Sequence, residues 1–259
     1  MKLTIASHGT GPDLVLVHGW GFSSQVFDTT VELLAANHRV HLVDLPGYGR
    51  NRALAAETLT ELADALIDAS PAGSALCGWS LGGQIALSAI ARNPRHFSRL
   101  ILVASTPRFV AGDGWQHGIA PMLLTGFHQA LRINAAGLLT RFGTLINQGD
   151  STGREITRLL ATLNAGGHPE KQALDLGLTL LRDLDLRPIP AKVRHPTLVI
   201  HGDKDPLMPI AGAEWLAAQF PHGRLVRLSE TAHAPFLSDP QRFAGHVTGF
   251  LSDFAAGAC

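Results

Sequence analysis

Seven short apolar runs recur along this chain, and for most of its length a helical pattern separates each run from the next. Most of the runs are continuously apolar rather than alternating, which is typical of strands in a sheet that is covered on both faces. The alternation with helical stretches such as 59–69 and 81–91 predicts an α/β fold with a doubly wound, mostly parallel sheet. Ligands of such sheets bind beyond the carboxyl ends of the strands. The predicted strands are 3–6, 14–17, 40–43, 75–77, 100–103, 198–200 and 225–228.

The strand pattern stops between Pro107 and Arg187, where the sequence contains amphipathic helical stretches and no convincing strand. Turn-forming residues separate these stretches. We therefore predict one sheet in two parts, 1–106 and 188–259, with a helical cap, 107–187, inserted over its active-site edge. The alternative is a separate helical domain with no catalytic part. The helices predicted in this segment are 120–131, 136–146, 153–163 and 169–180.

Composition excludes several classes of protein. Of 259 residues 46% are hydrophobic, so a large core is available. The 21 basic residues balance 21 acidic ones, so the net charge does not favour binding to nucleic acid or to a membrane surface. The cysteines, Cys77 and Cys259, are too few for a disulfide framework, and Cys77 is expected in the core. No run is apolar enough for a signal peptide or a membrane span. We expect a cytoplasmic monomer without metal or cofactor, with a frayed tail at 255–259.

The sequence Gly78-Trp79-Ser80-Leu81-Gly82 stands between a short apolar run and a helical pattern. This is the strand–turn–helix context of a nucleophile elbow, whose turn is so tight that the serine is strained and its neighbours must be small. A serine hydroxyl is a poor nucleophile near neutral pH, so it needs a base, and the base needs an orienting carboxylate. We predict that Ser80 is the nucleophile.

Candidate partners of Ser80 follow the last two predicted strands, in the order Ser, Asp, His that α/β-hydrolases use. Both segments lie at the same sheet edge as Ser80, so we assign His233 as general acid–base and Asp205 as its orienting partner. Asp203 competes for the acid role, but the spacing after Gly202 selects Asp205. We expect Asp203 to make Asx-type hydrogen bonds in its own turn. The 13 histidines show no HExxH or comparable spacing, so no metal site is predicted.

A tetrahedral intermediate at Ser80 also needs two hydrogen-bond donors directed at its oxyanion. Leu81, the residue after the serine, supplies one backbone N–H. The loop His18-Gly19-Trp20-Gly21 follows an apolar run and has the position of the loop that supplies the second, from Trp20. The alternatives for this loop are an ordinary turn or a phosphate cradle, and the latter is weak because the G-x-x-x-x-G-K-[ST] pattern is absent.

Four segments together resemble the BioH family of α/β-hydrolases, the pimeloyl-[acyl-carrier protein] methyl ester esterases of biotin synthesis. The resemblance runs from the first core strands through the cap to the last helix. The HG, DxPGxG and GxSxG elements are general to α/β-hydrolases, whereas Trp20, Trp79 and the AHAPF segment narrow the match. The four segments are His18-Gly19-Trp20-Gly21, Asp44-Leu45-Pro46-Gly47-Tyr48-Gly49-Arg50, Gly78-Trp79-Ser80-Leu81-Gly82-Gly83 and Ala232-His233-Ala234-Pro235-Phe236.

The resemblance implies hydrolysis of the methyl ester at the distal end of a pimeloyl chain on acyl-carrier protein, with loss of methanol. It places Trp20 and Leu81 at the ester end, beside Ser80 and His233 in one substrate-binding site. It places cap residues near Phe142, with Ile146, against the acyl chain; alternatively, Phe142 is simply a core residue. Gly143 and Ile146 stand where the family has a larger apolar residue and a glutamine, which alters the shape of the predicted acyl channel.

The resemblance also matches Arg141, Arg154 and Arg158 to basic residues that grip the acidic carrier and its phosphopantetheine phosphate. Arg154 and Arg158 are one helical turn apart and share a face, and guanidinium groups suit phosphate and carboxylate partners. The alternative is a solvated cap surface on which Glu155 supplies an intrahelical ion pair.

Three other functions compete with this interpretation. A general short-chain esterase or C–C bond hydrolase would use the same three residues on a small substrate, and the arginines would then be dispensable. A dehalogenase or epoxide hydrolase is disfavoured because those enzymes carry Asp where this chain has Ser80. A ligand receptor built on the same fold is disfavoured because Ser80, Asp205 and His233 are all present.

Overall fold

The computed structural model describes residues 1–253 of the chain. The frayed tail predicted at 255–259 and Cys259 lie outside the described residues. No helix within residues 1–253 is long and apolar enough to cross a bilayer.

Seven strands form one sheet in the spatial order β1-β3-β2-β4-β5-β6-β7. Among the strands of residues 1–253 only β1 is antiparallel to its neighbour, so the predicted mostly parallel sheet is confirmed. Successive strand residues point to opposite faces, and every residue of β4 and β6 is buried, so the sheet is covered on both faces there. The strands are β1 (Ile5–His8), β2 (Asp13–Val17), β3 (Arg39–Val43), β4 (Ala75–Trp79), β5 (Arg99–Val103), β6 (Thr197–Gly202) and β7 (Gly223–Leu228).

The first strand begins two residues later than predicted. Leu3 is buried, as its apolar character suggested, but it precedes the strand. The backbone of Thr4 is instead bound by the Asn51 side chain, which accepts the Thr4 N–H and donates to the Thr4 carbonyl. These two hydrogen bonds hold residues 3–4 outside the strand ladder, which starts at Ile5.

Helices surround the sheet. Thr58 caps α2 by accepting the N–H of Glu61, and Asp239 caps α10 by accepting the N–H of Arg242. Helix α2 packs on α3, and α1 packs on α10. The helices are α1 (Asp28–Leu34), α2 (Leu59–Ala69), α3 (Leu81–Arg92), α4 (Pro121–Ile133), α5 (Ala135–Leu145), α6 (Gly153–Ala165), α7 (Lys171–Asp183), α8 (Ile210–Gln219), α9 (Pro235–Ser238) and α10 (Pro240–Ser252).

Helices α4 to α7, residues 121–183, lie between β5 and β6 in the chain, and we call them the helical insertion. All four were predicted, with bounds that differ by at most three residues. Helix α4 packs against both α5 and α7, and α5 packs against α6. The division of the whole chain at 107 and 187 stays a prediction.

The sheet brings four loops to one edge. Strands β2, β4, β6 and β7 run parallel, so the loops that follow Val17, Trp79, Gly202 and Leu228 all leave from their carboxyl ends. This is the edge at which α/β sheets bind ligands.

Candidate active site

Ser80 stands between β4 and α3 in a backbone conformation that serine rarely adopts, with φ 55° and ψ −120°. Such a conformation costs about 1–3 kcal/mol and persists only where the surroundings enforce it. Two hydrogen bonds hold this turn: the Ser80 N–H donates to Val103, and the Ser105 hydroxyl donates to the Ser80 carbonyl. A Cβ on Gly83 would lie 2.6 Å from the Ser105 side chain, so a small residue is required there.

Ser80, His233 and Asp205 form a buried chain of hydrogen bonds. The Ser80 Oγ lies 2.9 Å from His233 Nε2, and His233 Nδ1 lies 2.7 Å from Asp205 Oδ2. The exposed fractions are 6% for Ser80, 0% for His233 and 8% for Asp205. A carboxylate can only accept from Nδ1, so Nδ1 carries the imidazole proton and Nε2 is left to accept from the serine.

The Asp205 carboxylate is fully occupied. Its Oδ1 accepts the backbone N–H groups of Leu207 and Met208, both at 2.9 Å, and its Oδ2 faces His233 and the Nε2 of His201, the latter at 3.3 Å. Burial alone would raise the pKa of Asp205, but the charge of His233 and the hydrogen bonds from His201 and His233 hold it well below its usual range. Asp205 is therefore ionised near neutral pH.

Asp203, the competing acid, takes no part in the hydrogen bonds that link Ser80, His233 and Asp205. Its Oδ1 accepts the N–H of Glu230 at 2.8 Å. The Asx-type bond predicted within its own turn is therefore wrong, because Asp203 instead joins the loop after β6 to the loop after β7.

Two residues that sequence reasoning missed hold the catalytic candidates. The Trp79 indole N–H donates to the His233 carbonyl at 2.7 Å, so the residue before the serine fixes the backbone of the histidine. His201 is fully buried, and its Nε2 donates to the Met208 carbonyl at 2.6 Å while facing Asp205. The sequence signals were a Trp inside the GxSxG pattern and a His four residues before Asp205.

The loop after β2 lies against the serine. A Cβ on Gly19 would be 3.1 Å from the Ser80 Cβ, so a larger residue there would press on the serine. His18 ties the loop to the end of β3: its Nδ1 donates to the Gly19 carbonyl, and its Nε2 accepts the N–H of Leu45. Burial lowers the pKa of His18, against the opposing effects of the Asp44 charge and of the Gly19 hydrogen bond. The neutral ring is the form that can both donate and accept.

The Leu81 N–H belongs to the first turn of α3, where N–H groups have no acceptor within the helix and the helix dipole favours negative charge. The position of Leu81 directly after Ser80 suits the predicted oxyanion donor. The Trp20 N–H as the second donor stays a prediction.

Aromatic side chains from the helical insertion cover the loop after β2. Trp20 meets Phe142 of α5 edge-on at 4.8 Å between ring centroids, and it lies parallel to Phe127 of α4 at 6.4 Å. The Trp20 indole N–H donates to the Leu174 carbonyl of α7 at 2.9 Å. Ile146 is buried, and its carbonyl accepts the N–H of His233. The two residues expected at the acyl chain, Phe142 and Ile146, therefore lie beside the candidate site.

Arg141, Arg154 and Arg158 are all exposed, and they line one open groove between α5 and α6. Within the described part of the chain none of the three guanidinium groups forms an ion pair, so the intrahelical pair considered for Glu155 is not formed. Three unpaired cations on one groove can attract an anionic partner.

In residues 1–253 no group of three or more His, Cys, Asp or Glu side chains is arranged to hold a metal ion. The chemistry available at this edge is that of a serine activated by an imidazole. A strained serine between strand and helix, a buried imidazole and an ionised carboxylate, set on a parallel sheet, define the class of α/β-hydrolases with a serine nucleophile.

Comparison with known proteins agrees with this class. The sequence profile described as "Alpha/beta hydrolase family" matches residues 14–246. A protein of Nitrosomonas europaea named pimeloyl-[acyl-carrier protein] methyl ester esterase is 38% identical over 243 residues, which is 93% of this chain and 96% of the relative. A protein of the same name from Aromatoleum aromaticum is 41% identical over 89% of this chain and 94% of its own length. The chain belongs to the alpha/beta hydrolase family and, within it, to the BioH family of these relatives.

Solved structures match in fold. An esterase from Exiguobacterium antarcticum superposes with a TM-score of 0.86 at 24% identity, covering 96% of this chain and 95% of its own. A bromoperoxidase from Bacillus anthracis gives a TM-score of 0.87 at 19% identity, covering 96% and 94%. At these identities the likeness concerns the fold alone.

Proposed function

We propose that this protein hydrolyses the methyl ester of pimeloyl-[acyl-carrier protein], releasing methanol and the free carboxylate that biotin synthesis requires. The observation that carries the proposal is the buried hydrogen-bond chain from Ser80 through His233 to Asp205. The two named esterases, of which this chain covers 96% and 94%, supply the substrate.

In the proposed reaction the Ser80 Oγ attacks the ester carbonyl while His233 Nε2 takes its proton. The backbone N–H groups of Leu81 and Trp20 bind the oxyanion that forms. His233 then gives its proton to the methoxy oxygen, methanol leaves, and the acyl group remains on Ser80. A water molecule attacks this acyl-enzyme with His233 again as base, and collapse of the second tetrahedral intermediate restores Ser80. Asp205 stays ionised throughout and stabilises the imidazolium.

The helical insertion, in this proposal, is the cap that receives the acyl chain. Phe142 lies against Trp20, and the Ile146 carbonyl binds the His233 N–H, so an apolar chain entering from α5 would reach Ser80 along these two residues. Trp20, Phe142 and Ile146 are each at most 5% exposed, which keeps water from the ester once the site is closed.

The carrier docks, in this proposal, on the groove of Arg141, Arg154 and Arg158. Their guanidinium groups are exposed and unpaired in the described chain, and they suit the phosphopantetheine phosphate and acidic side chains. The Cys77 thiol, whose pKa burial raises to about 12, is buried and forms no disulfide, which suits the cytoplasm as the site of this reaction.

The first test follows the intact mass of pimeloyl-[acyl-carrier protein] methyl ester during incubation with the protein. We expect the carrier to lose the mass of one methylene group with the wild type and to keep its mass with the Ser80→Ala variant. An unchanged carrier mass, with p-nitrophenyl esters still cleaved by the wild type, would instead favour a general short-chain esterase or C–C bond hydrolase.

A second test concerns docking. Replacing Arg154 and Arg158 together by Ala should lower kcat/KM for the carrier-bound ester by about 10-fold or more, since hydrogen bonds to charged groups contribute about 1.5–3 kcal/mol each. The same variant should cleave p-nitrophenyl butyrate normally. The matched control replaces Arg95 and Arg194, exposed arginines that lie outside this groove and form no ion pair within residues 1–253. Equal losses on both esters, or equal losses in the control, would contradict docking at this groove.

A further inference from the structure

The corner between α5 and α6 is bound to the loop that carries His233. We call residues 146–152 the α5–α6 corner and residues 230–238 the histidine loop. Three hydrogen bonds from backbone N–H groups join the two segments. The His233 N–H donates to the Ile146 carbonyl, the Ser151 N–H to the Glu230 carbonyl, and the Ala232 N–H to the Asp150 carboxylate. The backbone of His233 is therefore held in part by a segment that lies outside the sheet.

Asp150 makes the central contacts of this junction. Its Oδ2 accepts the Ala232 N–H at 2.7 Å and the Ser238 hydroxyl at 2.5 Å. Its Oδ1 accepts the N–H and the hydroxyl of Thr152, both at 2.9 Å. One carboxylate oxygen thus serves the histidine loop, and the other serves the corner itself.

Ala232 has few other ways to satisfy its N–H. It is fully buried and directly precedes His233 in the chain. A buried N–H that loses its acceptor must move toward another partner or stay unpaired, and either outcome displaces the neighbouring backbone. The Asp150 bond consequently acts one residue from the imidazole that must meet Ser80 at hydrogen-bond distance.

We infer that Asp150 is a positioning residue for His233, a role that rests on the proposed function of His233 as general base. Catalysis tolerates little displacement, since a shift of about 1 Å in a reacting group can lower the rate about 100-fold. Asp150 touches no reacting atom in this arrangement. It keeps the histidine loop in the position from which Nε2 reaches the serine.

The same residue joins the docking groove to the reaction centre. Asp150 lines the groove together with Arg154 and Arg158, while its Oδ2 faces the histidine loop. A partner that occupies the groove therefore lies against the carboxylate that positions the base.

The test compares Asp150→Asn with Thr152→Val, using p-nitrophenyl butyrate as the ester. Asparagine is nearly isosteric but has one acceptor oxygen, so its amide must turn donors toward either Ala232 or Thr152. We expect kcat of Asp150→Asn to fall about 10- to 100-fold with KM within twofold of the wild type. Thr152→Val removes only the hydroxyl that Oδ1 accepts, and its kcat should stay within twofold.

The folded fraction at the assay temperature is measured by circular dichroism for each variant. Should Asp150→Asn fail to fold, Ser238→Ala carries the test, because it removes the other donor to Oδ2; its kcat should fall about threefold or more. Unchanged kcat in the folded Asp150→Asn or, failing that, in Ser238→Ala would overturn the inference, as would an equal loss in Thr152→Val. Because the ester is small, a wild type that leaves the carrier ester intact would refute the carrier role and leave this result standing.

Discussion

Within residues 1–253, two sets of Ser, His and Asp are linked by hydrogen bonds, and one of them lies at the candidate site. On β1, β3 and the start of β2, the Ser7 hydroxyl lies 2.8 Å from His41 Nδ1, and His41 Nε2 lies 2.7 Å from Asp13 Oδ1. Ser7 sits on an edge strand, directly opposite His41 in the ladder, and not at a strained turn before a helix. Hydrogen bonds among the three residue types thus do not suffice for catalysis, which also needs donors for the oxyanion.

The two serines are a matched pair for an experiment. Ser80→Ala should lower kcat for p-nitrophenyl butyrate by about 10⁴-fold or more, because no other group can form the acyl-enzyme. Ser7→Ala should leave kcat within twofold, because it removes only a bond across the sheet edge. Initial rates of the two purified variants decide the matter. Comparable losses in both, or substantial turnover by Ser80→Ala, would contradict the assignment of Ser80.

At this scale the sequence predicted the residues that meet but not those that hold them. Ser80, Asp205 and His233 could be found because strand order fixes the edge at which each one emerges. Trp79, His201 and Asp150 could not be assigned their roles. Trp79 and Asp150 bind backbone atoms far along the chain: the His233 carbonyl lies 154 positions from Trp79, and the Ala232 N–H lies 82 positions from Asp150. His201 binds the nearby Met208 carbonyl, which depends on how the loop after β6 folds. Residue type and spacing single out Trp79 and His201 but do not indicate which backbone atoms they bind.

Among the elements, α7 approaches the loop after β2 through a single glycine. A Cβ on Gly177 would lie 2.5 Å from Trp20 Cδ1, so Trp20 packs directly on the backbone of α7. In the helix interior glycine normally costs about 0.5–1 kcal/mol relative to alanine. This glycine persists at a position where its missing side chain makes room for the indole.

Gly177→Ala should therefore destabilise the protein by about 1–3 kcal/mol, since overpacking outweighs the gain in helix propensity. It should also lower esterase activity by displacing Trp20. Gly126→Ala in α4 is the control: a Cβ there would meet nothing within 4 Å, and it should stabilise by up to about 1 kcal/mol. Urea unfolding midpoints compare the two. A stabilised Gly177→Ala with full activity would contradict the close packing of Trp20 on α7.

Element predictions succeeded where burial is one-sided and periodic. The helices of the insertion each bury one face, so apolar spacing located all four; α7, for instance, buries Leu174, Leu178 and Leu181. The strand predicted over 3–6 was displaced because the Asn51 side chain, far along the chain, holds the Thr4 backbone. Hydrophobicity indicates burial there, not membership of the ladder.

Across the whole molecule, buried titratable groups link stability to pH. Burial lowers the pKa of His18 and of His38, so the unfolded chain binds their protons at a higher pH than the folded chain does. Their contribution to stability is therefore present above about pH 6.5, the ordinary histidine value, and is lost as the pH falls. Asp44 and Asp205 have lowered pKa values despite burial, because the neighbouring imidazoles and the hydrogen bonds to each carboxylate outweigh it. Their contribution is lost only below about pH 4.

We expect the urea concentration at the unfolding midpoint to decrease as the pH is lowered from 7.5 to 5, a range above that in which Asp44 and Asp205 lose their contribution. His18 accounts for up to about 1.4 kcal/mol per pH unit of the decline in the free energy of unfolding. His18→Gln should lower stability at pH 7.5 yet reduce the slope with pH, whereas His222→Gln, at an exposed site, should leave the slope unchanged. A slope that is identical in all three proteins would contradict a neutral buried His18.

The junction between the α5–α6 corner and the histidine loop limits how the helical insertion can be exchanged between related proteins. Recombination that replaced residues 121–183 alone would remove the Asp150 carboxylate, which accepts the Ala232 N–H of the C-terminal half. The unit that a chimera must exchange is thus discontinuous, 121–183 together with 230–238. We therefore expect the proposed substrate contacts of 121–183 to be inherited together with the proposed general base, although some 80 residues separate Asp150 from Ala232.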